Sequence, residues 1–280
     1  MWDNPTDRDR AVAAFFDLDK TIIAGSSTLA FSGPMRARGL IGRRALLRSG
    51  YAQMLLMVSG ADARFMELMR KRISALCTGW EVAEVHSVIQ EALPEVITPL
   101  IYPEAAALID KHRARGHHVA VVSASGEELV SPVAAALGAE HCLGTQMAVL
   151  DGRYTGEIDF YCFGMGKATA ARRLAAEHGY QMNTSYAYSD SITDLPLLEA
   201  VGHPCAVNPD RELREIATQR GWPVLDFVAP IPLRARIGAR IYALLPTSTP
   251  AVWSASGLIT MVLMSLVWRG LRRSPRHARR

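Results

Sequence analysis

Val12-Ala13-Ala14-Phe15-Phe16-Asp17-Leu18-Asp19-Lys20-Thr21 sets an unbroken apolar run against a carboxylate. A strand covered on both faces, as in a parallel sheet, carries continuous apolar sequence rather than alternation. Working outward, His118 to Val122 repeats the form and ends at Ser123, Tyr186-Ala187-Tyr188 leads into Ser189-Asp190, and Pro204 to Val207 leads into Asn208. Helical patterns fill the intervals, at Pro103 to Arg115, Glu127 to Leu137, Lys167 to His178 and Asp194 to Ala200. Strands alternating with helices of this length predict an α/β fold with a doubly wound, mainly parallel sheet.

Two stretches interrupt the alternation. Between Ile23 and about Leu100 the sequence offers only helical apolar spacing (Phe65, Leu68, Met69, Ile73, Leu76), which predicts a helical cap inserted after the first strand. Around Asp151-Gly152, two alternating runs between Met147 and Phe160 predict a β-hairpin with a primed turn. The expected organisation is a catalytic core over 1–23 and 101–228, a cap over 24–100, a Pro/Arg linker over 229–250, an apolar helix over 251–268 and a basic tail over 269–280.

The chain has 280 residues, 49% apolar and 21% charged, enough for a core domain with an insertion. The pI near 9.0 is a property of the C-terminus, where Arg269, Arg272, Arg273, Arg276, Arg279 and Arg280 gather. That tail has no interleaved aromatics, which argues against nucleic acid and for an acidic lipid surface. Residues 251–268 carry no charge or proline and would form a helix about 27 Å long, with Trp253 and Trp268 near its ends. The expectation is a membrane-associated helix, spanning or lying in the interface; the alternative is a buried core helix. The N-terminus lacks the apolar core of a signal peptide, and Cys77, Cys142, Cys162 and Cys205 form no C-x-x-C pair, so the folded part is expected in the cytosol with reduced thiols.

Asp17 and Asp19, two positions apart at a strand's C-terminal end, project to one side, into the crevice where open α/β sheets bind ligands. Two such charges repel, and a divalent cation on Asp17 would relieve this while admitting an anionic phosphate beside a carboxylate nucleophile. Asp19 could then act as acid and base. A D-x-D turn capping the next segment is the bland alternative. Ser123 could hold a phosphate oxygen or serve as a turn residue. Lys167, after Gly164 and Gly166, could neutralise phosphate or lie on the surface. Asp190 and Asp194 could complete an oxygen-only magnesium site, with helix capping by Asp194 as a second role.

In this order, Asp17-Leu18-Asp19-Lys20-Thr21, Val121-Val122-Ser123, Lys167 and Ser189-Asp190 to Asp194 resemble the motifs of the haloacid dehalogenase superfamily, in its phosphoserine-phosphatase-like branch (subfamily IB) with a helical cap. The resemblance runs from Phe15 to Asp194, with the flanking sheet pattern to about Phe227. It implies Asp17 as nucleophile, Asp19 as acid/base with its backbone carbonyl also meeting the metal, Thr21, Ser123 and Lys167 as phosphate ligands, Asp190 as a direct Mg²⁺ ligand, and Asp194 acting through water or by orienting Lys167. It departs from phosphoserine phosphatases at Ser189, Ser191 and Thr193, where they usually carry Gly, Gly and Asn, and at Ala124, where Gly usually stands.

The expectation is a Mg²⁺-dependent phosphomonoester phosphatase working through an aspartyl-phosphate, held at the inner membrane surface by its C-terminal segment and acting on a lipid or glycerol phosphate. A soluble-metabolite phosphatase and a catalytically idle membrane adaptor are the alternatives.

Overall fold

A computed structural model describes residues 11–41 and 74–228. Strands β1 (Ala13–Asp17), β2 (His118–Gly126), β3 (His141–Leu150), β4 (Arg153–Phe160), β5 (Tyr186–Ser189), β6 (His203–Val207) and β7 (Val224–Leu225) form one seven-stranded sheet in the order β4-β3-β2-β1-β5-β6-β7. All neighbours are parallel except β3 and β4, which are antiparallel. The helices are α1 (Ser27–Ala37), α2 (Val82–Val96), α3 (Pro103–Ala114), α4 (Glu127–Ala136), α5 (Met165–His178), α6 (Leu195–Leu198) and α7 (Arg211–Arg220).

β1 occupies the centre and is buried along its whole length. Its alternate residues serve two cores, as the period of two requires. Ala13 and Phe15 pack with Ala120, Val122, Ala187 and the apolar side of α5, whereas Ala14 and Phe16 pack with Val119, Val121, Tyr188 and Ile109 of α3. Each buried phenylalanine contributes about 2–3 kcal/mol by removal from water. Register does the positioning. Asp17 pairs with Val122 and Phe16 with Tyr188, so the end of β1 stands one step from Ser123 on one side and level with Ser189 on the other.

The hairpin turns at Asp151 and Gly152, both at positive φ (50° and 74°), as a primed turn demands. Its tip is tied to residues 79–82, where Val82 N–H donates to the Gly152 carbonyl at 3.0 Å and Gly79 N–H to that of Tyr154 at 2.7 Å. Among the described residues between Ile23 and Leu100 the elements are helical: α1, α2 and a 3₁₀ turn at Thr98–Leu100. The chain leaves and re-enters the sheet layer side by side, Ala24 N–H donating to the Leu100 carbonyl and Tyr102 N–H to that of Ile22.

Several boundaries differ from expectation. β2 runs past Ser123 to Gly126, with a register shift after Val122. β3 begins at His141, and its first half pairs parallel with β2 before the hairpin starts. β7 has only two residues and gives no periodic signal. The helix expected over Asp194 to Ala200 is a 3₁₀ turn (Ile192–Asp194) followed by one α-turn with Pro196 at its start. Leu76 is exposed rather than part of an apolar stripe; Phe65, Leu68, Met69 and Ile73 lie outside the described residues, as do the N-terminus to residue 10 and the linker, apolar segment and basic tail expected over 229–280. Among the described residues no helix is long and apolar enough to cross a membrane. The four cysteines are free thiols.

Beneath the sheet, His112 is buried with Nε2 at 2.8 Å from the Tyr188 hydroxyl and Nδ1 at 2.9 Å from Nδ1 of His117, while Tyr188 stacks on Phe16 at 4.4 Å. Burial, with the neighbouring His117, pushes the imidazole down to about 3. Unfolding therefore takes up a proton below the ordinary value of 6.5, and stability is lost as pH falls from there towards about 3. Between pH 7.5 and 5 this group accounts for about 2 kcal/mol of lost stability. Urea denaturation at the two pH values should show a smaller pH-dependent loss for His112→Gln than for the parent.

Candidate active site

At the C-terminal end of β1 the Asp17 carboxylate is buried, and the Lys167 ammonium donates to its Oδ1 at 2.6 Å. The same ammonium donates to Asp194 Oδ2, also at 2.6 Å. Lys167 is 4% exposed and Asp194 1%, so this is an interior bridge, not a surface pair. The path that brings Lys167 inward needs its glycines. Gly164 has a positive φ of 55°, and a Cβ on Gly166 would come within 2.1 Å of the Tyr161 carbonyl oxygen. Thr21 donates a long hydroxyl contact, 3.4 Å, to Asp17 Oδ2.

Asp194 accepts a second bond on Oδ2 from the Ser189 hydroxyl at 2.6 Å, while its Oδ1 is buried without a partner. Asp194 stands before α6 but makes no side-chain cap there. The expected capping role is thus overturned: the carboxylate turns inward, where leaving the buried ammonium without it would cost about 3–5 kcal/mol, more than the ~1 kcal/mol of a cap. Asp190 is buried nearby. The 190–194 loop is fastened by Asp210, whose carboxylate accepts from Ile192 N–H and from Leu213 N–H, both at 2.8 Å, and whose own N–H donates to the Asp190 carbonyl at 2.7 Å.

The electrostatics follow from crowding acids in a dry place. Burial raises Asp17 well above the ordinary carboxylate range; Lys167 opposes this, and Asp194 and Asp190 add to it. Burial likewise lifts Asp190 to about 6, against the pull of Lys20. For Lys167, burial acts downward but the Asp17 and Asp194 carboxylates overcome it and hold the ammonium above its ordinary value. The carboxylates that press on Asp17 are therefore Asp194 and Asp190, where sequence spacing pointed to Asp19. After Leu18 the chain turns, and Asp19 Oδ1 accepts the Ser27 N–H at 2.8 Å instead. Burial raises Asp19 as well.

Of the residues expected at the site, Asp17, Thr21, Lys167, Asp190 and Asp194 are gathered into one cluster. Ser123 lies buried one step past Val122, Asp17's partner, its Oγ accepting Ser125 N–H at 3.1 Å. Ser27, Ser125 and Asp210 carry no site signal in the sequence, and Ser189 stands out there only as a departure from the usual Gly. A serine at a helix start or strand end has an ordinary local use, and only the tertiary contacts reveal another.

Three carboxylates around one buried ammonium leave the cluster short of positive charge. Among the described residues no three His, Cys, Asp or Glu side chains gather to hold a metal ion. Magnesium asks for less: one or two carboxylates, the remainder being main-chain or water oxygens. Asp17 and Asp190 suit that hard cation in charge and donor type, and Asp194 Oδ1, buried without a hydrogen-bond partner, belongs to the same cluster.

A model of haloacid dehalogenase-like hydrolases matches residues 14–199. The chain belongs to that family. A probable phosphatase of Mycobacterium tuberculosis is 56% identical over 254 residues, covering 90% of this chain and 88% of its own. A phosphoserine phosphatase of the same species is 35% identical over 221 residues, covering 78% and 72% respectively. Among solved structures, a Bordetella pertussis protein of unknown function matches with a TM-score of 0.69 and 32% identity, over 78% of this chain and 98% of that one. Family and relatives together make this haloacid dehalogenase-like hydrolase a phosphatase.

In this phosphatase, replacing Lys167 by Met strands two buried carboxylates. Without divalent metal, Lys167→Met should cost about 3–5 kcal/mol at pH 8. The loss should shrink at pH 5, where protonation of Asp17, held above the ordinary carboxylate range by burial, relieves part of the unpaired charge; denaturation at both pH values checks the sign.

Proposed function

We propose that the chain hydrolyses phosphate monoesters through a phosphoryl group carried on Asp17, with Mg²⁺ as cofactor. The observation that carries this reading is the buried Lys167 bridge. It occupies Asp17 Oδ1 at 2.6 Å and leaves Oδ2 with only the long Thr21 contact, so one oxygen retains its lone pairs for attack. Asp17 Oδ2 forms a bond to phosphorus as the ester P–O bond breaks, and Asp19 gives its proton to the departing alkoxide. Asp19, now a carboxylate, takes a proton from water as that water attacks phosphorus; the bond to Asp17 breaks and free phosphate leaves. Thr21, Ser123 and Lys167 hold the phosphoryl oxygens, and Asp194 orients Lys167 through its 2.6 Å bond. Asp17, the Asp19 carbonyl and Asp190 would hold Mg²⁺, which supplies positive charge to offset the approach of an anion to a carboxylate.

The substrate class we infer is a small phosphorylated alcohol, supported by the phosphoserine phosphatase among the relatives. The helical residues between the zipped Ile22–Ala24 and Leu100–Tyr102 segments act as the cap that covers it. A second reading, in which the chain meets a lipid or glycerol phosphate on the cytosolic side of the inner membrane, rests on the apolar sequence 251–268 and the arginines after it.

Asp17→Asn should abolish turnover, because an amide forms no acyl phosphate. Asp19→Asn should slow it by roughly 10²–10⁴. Phosphate release with and without Mg²⁺, across amino-acid, sugar, glycerol and lipid phosphates, checks both and ranks the substrates. Removing residues 229–280 should spare soluble esters and abolish turnover of micellar lipid phosphate; equal loss on both would contradict membrane placement.

Asp190 gives a pH test. With its carboxyl at about 6 in the metal-free protein, Mg²⁺ must displace a proton below that pH. Apparent Mg²⁺ affinity, measured by titration calorimetry, should fall as pH drops through 6, by about tenfold per pH unit from Asp190 alone.

A further inference from the structure

Asp19 sits at the end of a chain of serine hydroxyls that begins on the neighbouring strand β2. Its Oδ1 accepts the backbone N–H of Ser27, the first residue of α1, at 2.8 Å, and its carboxyl also meets the hydroxyls of Ser27 and Ser125. The Ser27 hydroxyl lies 2.8 Å from that of Ser125, and the Thr28 hydroxyl 3.3 Å from the same oxygen. Ser125 belongs to β2, and its N–H donates to Ser123 Oγ at 3.1 Å. Ser27 is fully buried and Ser125 8% exposed, so these are interior bonds that water does not replace at low cost. One residue, Ser125, thus touches both the hydroxyl expected on the phosphate and the helix turn that grips Asp19.

The geometry also distinguishes the two oxygens of Asp19. An oxygen that accepts a main-chain N–H is the carbonyl-type oxygen of a protonated carboxyl, so the transferable proton belongs on Oδ2. Rotation about the Cβ–Cγ bond would exchange the two, and the Ser27 N–H opposes that rotation. Its position depends on the first turn of α1 remaining seated against β2, which the Ser125 hydroxyl secures.

We propose that Ser125 is a positioning residue for proton transfer: by its own hydroxyl on the Asp19 carboxyl and by bracing Ser27 and Thr28 against β2, it holds Asp19 Oδ1 on the Ser27 N–H and presents the proton on Oδ2 to the leaving oxygen. This rests on Asp19 being the proton donor of the reaction proposed above. The step is a simple transfer, the O–H bond of Asp19 breaking as the ester oxygen, released from phosphorus, gains the proton.

A misplaced acid harms poor leaving groups most, because a good one departs with little need of a proton. The test is kcat/KM of the full chain with Mg²⁺ across substituted phenyl phosphates, from 4-nitrophenyl to phenyl. Ser125→Ala should lower the ratio of phenyl to 4-nitrophenyl turnover by roughly tenfold, a fraction of the full worth of general acid catalysis. Ser125→Thr, which keeps the hydroxyl, should restore the ratio. Ser27→Ala keeps the backbone donor but removes the bridge from the other side; it should lower the ratio too, and serves if Ser125→Ala does not fold. An unchanged ratio in folded Ser125→Ala or Ser27→Ala, with equal loss on every ester, overturns the positioning role. Asp19→Asn separates the two layers. A lowered ratio there with none in the serine variants overturns only the role of Ser125, whereas an unchanged ratio in Asp19→Asn overturns Asp19 as proton donor and the role of Ser125 with it.

Discussion

A buried ammonium shared by two buried carboxylates is the constraint around which the site is organised. Lys167 cannot leave without stranding Asp17 and Asp194, the two buried carboxylates it bridges. The bridge accounts for the tight glycine-flanked approach of residues 164–167, for the inward turn of Asp194 away from α6, and for the hydroxyl at Ser189. It also leaves a deficit of positive charge, since Asp190 joins the same cluster. A site that has already met the cost of crowding acids together is prepared for a cation and then for an anion.

Parallel register converts this local chemistry into a site. Because Asp17 is level with Val122 and with the start of the 189–194 loop, residues distant in sequence arrive at one edge of the sheet. The two cores on either side of β1 fix that register, for a slip by one residue would exchange Phe15 and Phe16 between cores. Asp210 then fastens the 190–194 loop to the start of α7. The serine at 189, where phosphoserine phosphatases usually have glycine, has a use here that glycine could not serve: its hydroxyl occupies Asp194 Oδ2.

Much of this was legible in the chain. The central strands are continuous apolar runs, and each is followed at once by Asp17, Ser123 or Ser189-Asp190, so strand and site announce one another. His141 to Gln146 was illegible as a strand because Cys142 and Leu143 stand among His141, Gly144, Thr145 and Gln146 and form neither an unbroken apolar run nor an alternation, and β7 was too short to show any period. Within the site, Asp17, Lys167, Asp190 and Asp194 carried charges that had to be explained. Ser27 and Ser125 did not, since a serine beside a helix start is an ordinary cap until the fold sets two of them 2.8 Å apart. Local reasoning also gave Asp194 a capping role and Asp19 the repulsion on Asp17; both gave way to a stronger interaction with a residue far away in sequence or inside the fold.

The central claim is that Asp17 itself carries the phosphoryl group. Borohydride reduces an acyl phosphate to an alcohol and leaves a free carboxylate untouched, so quenching turnover with borohydride, digesting the protein and weighing the peptides tests it directly. The account predicts reduction confined to Asp17, dependent on both Mg²⁺ and a phosphate ester. An unmodified Asp17 during rapid turnover, or reduction at another carboxylate, would contradict it.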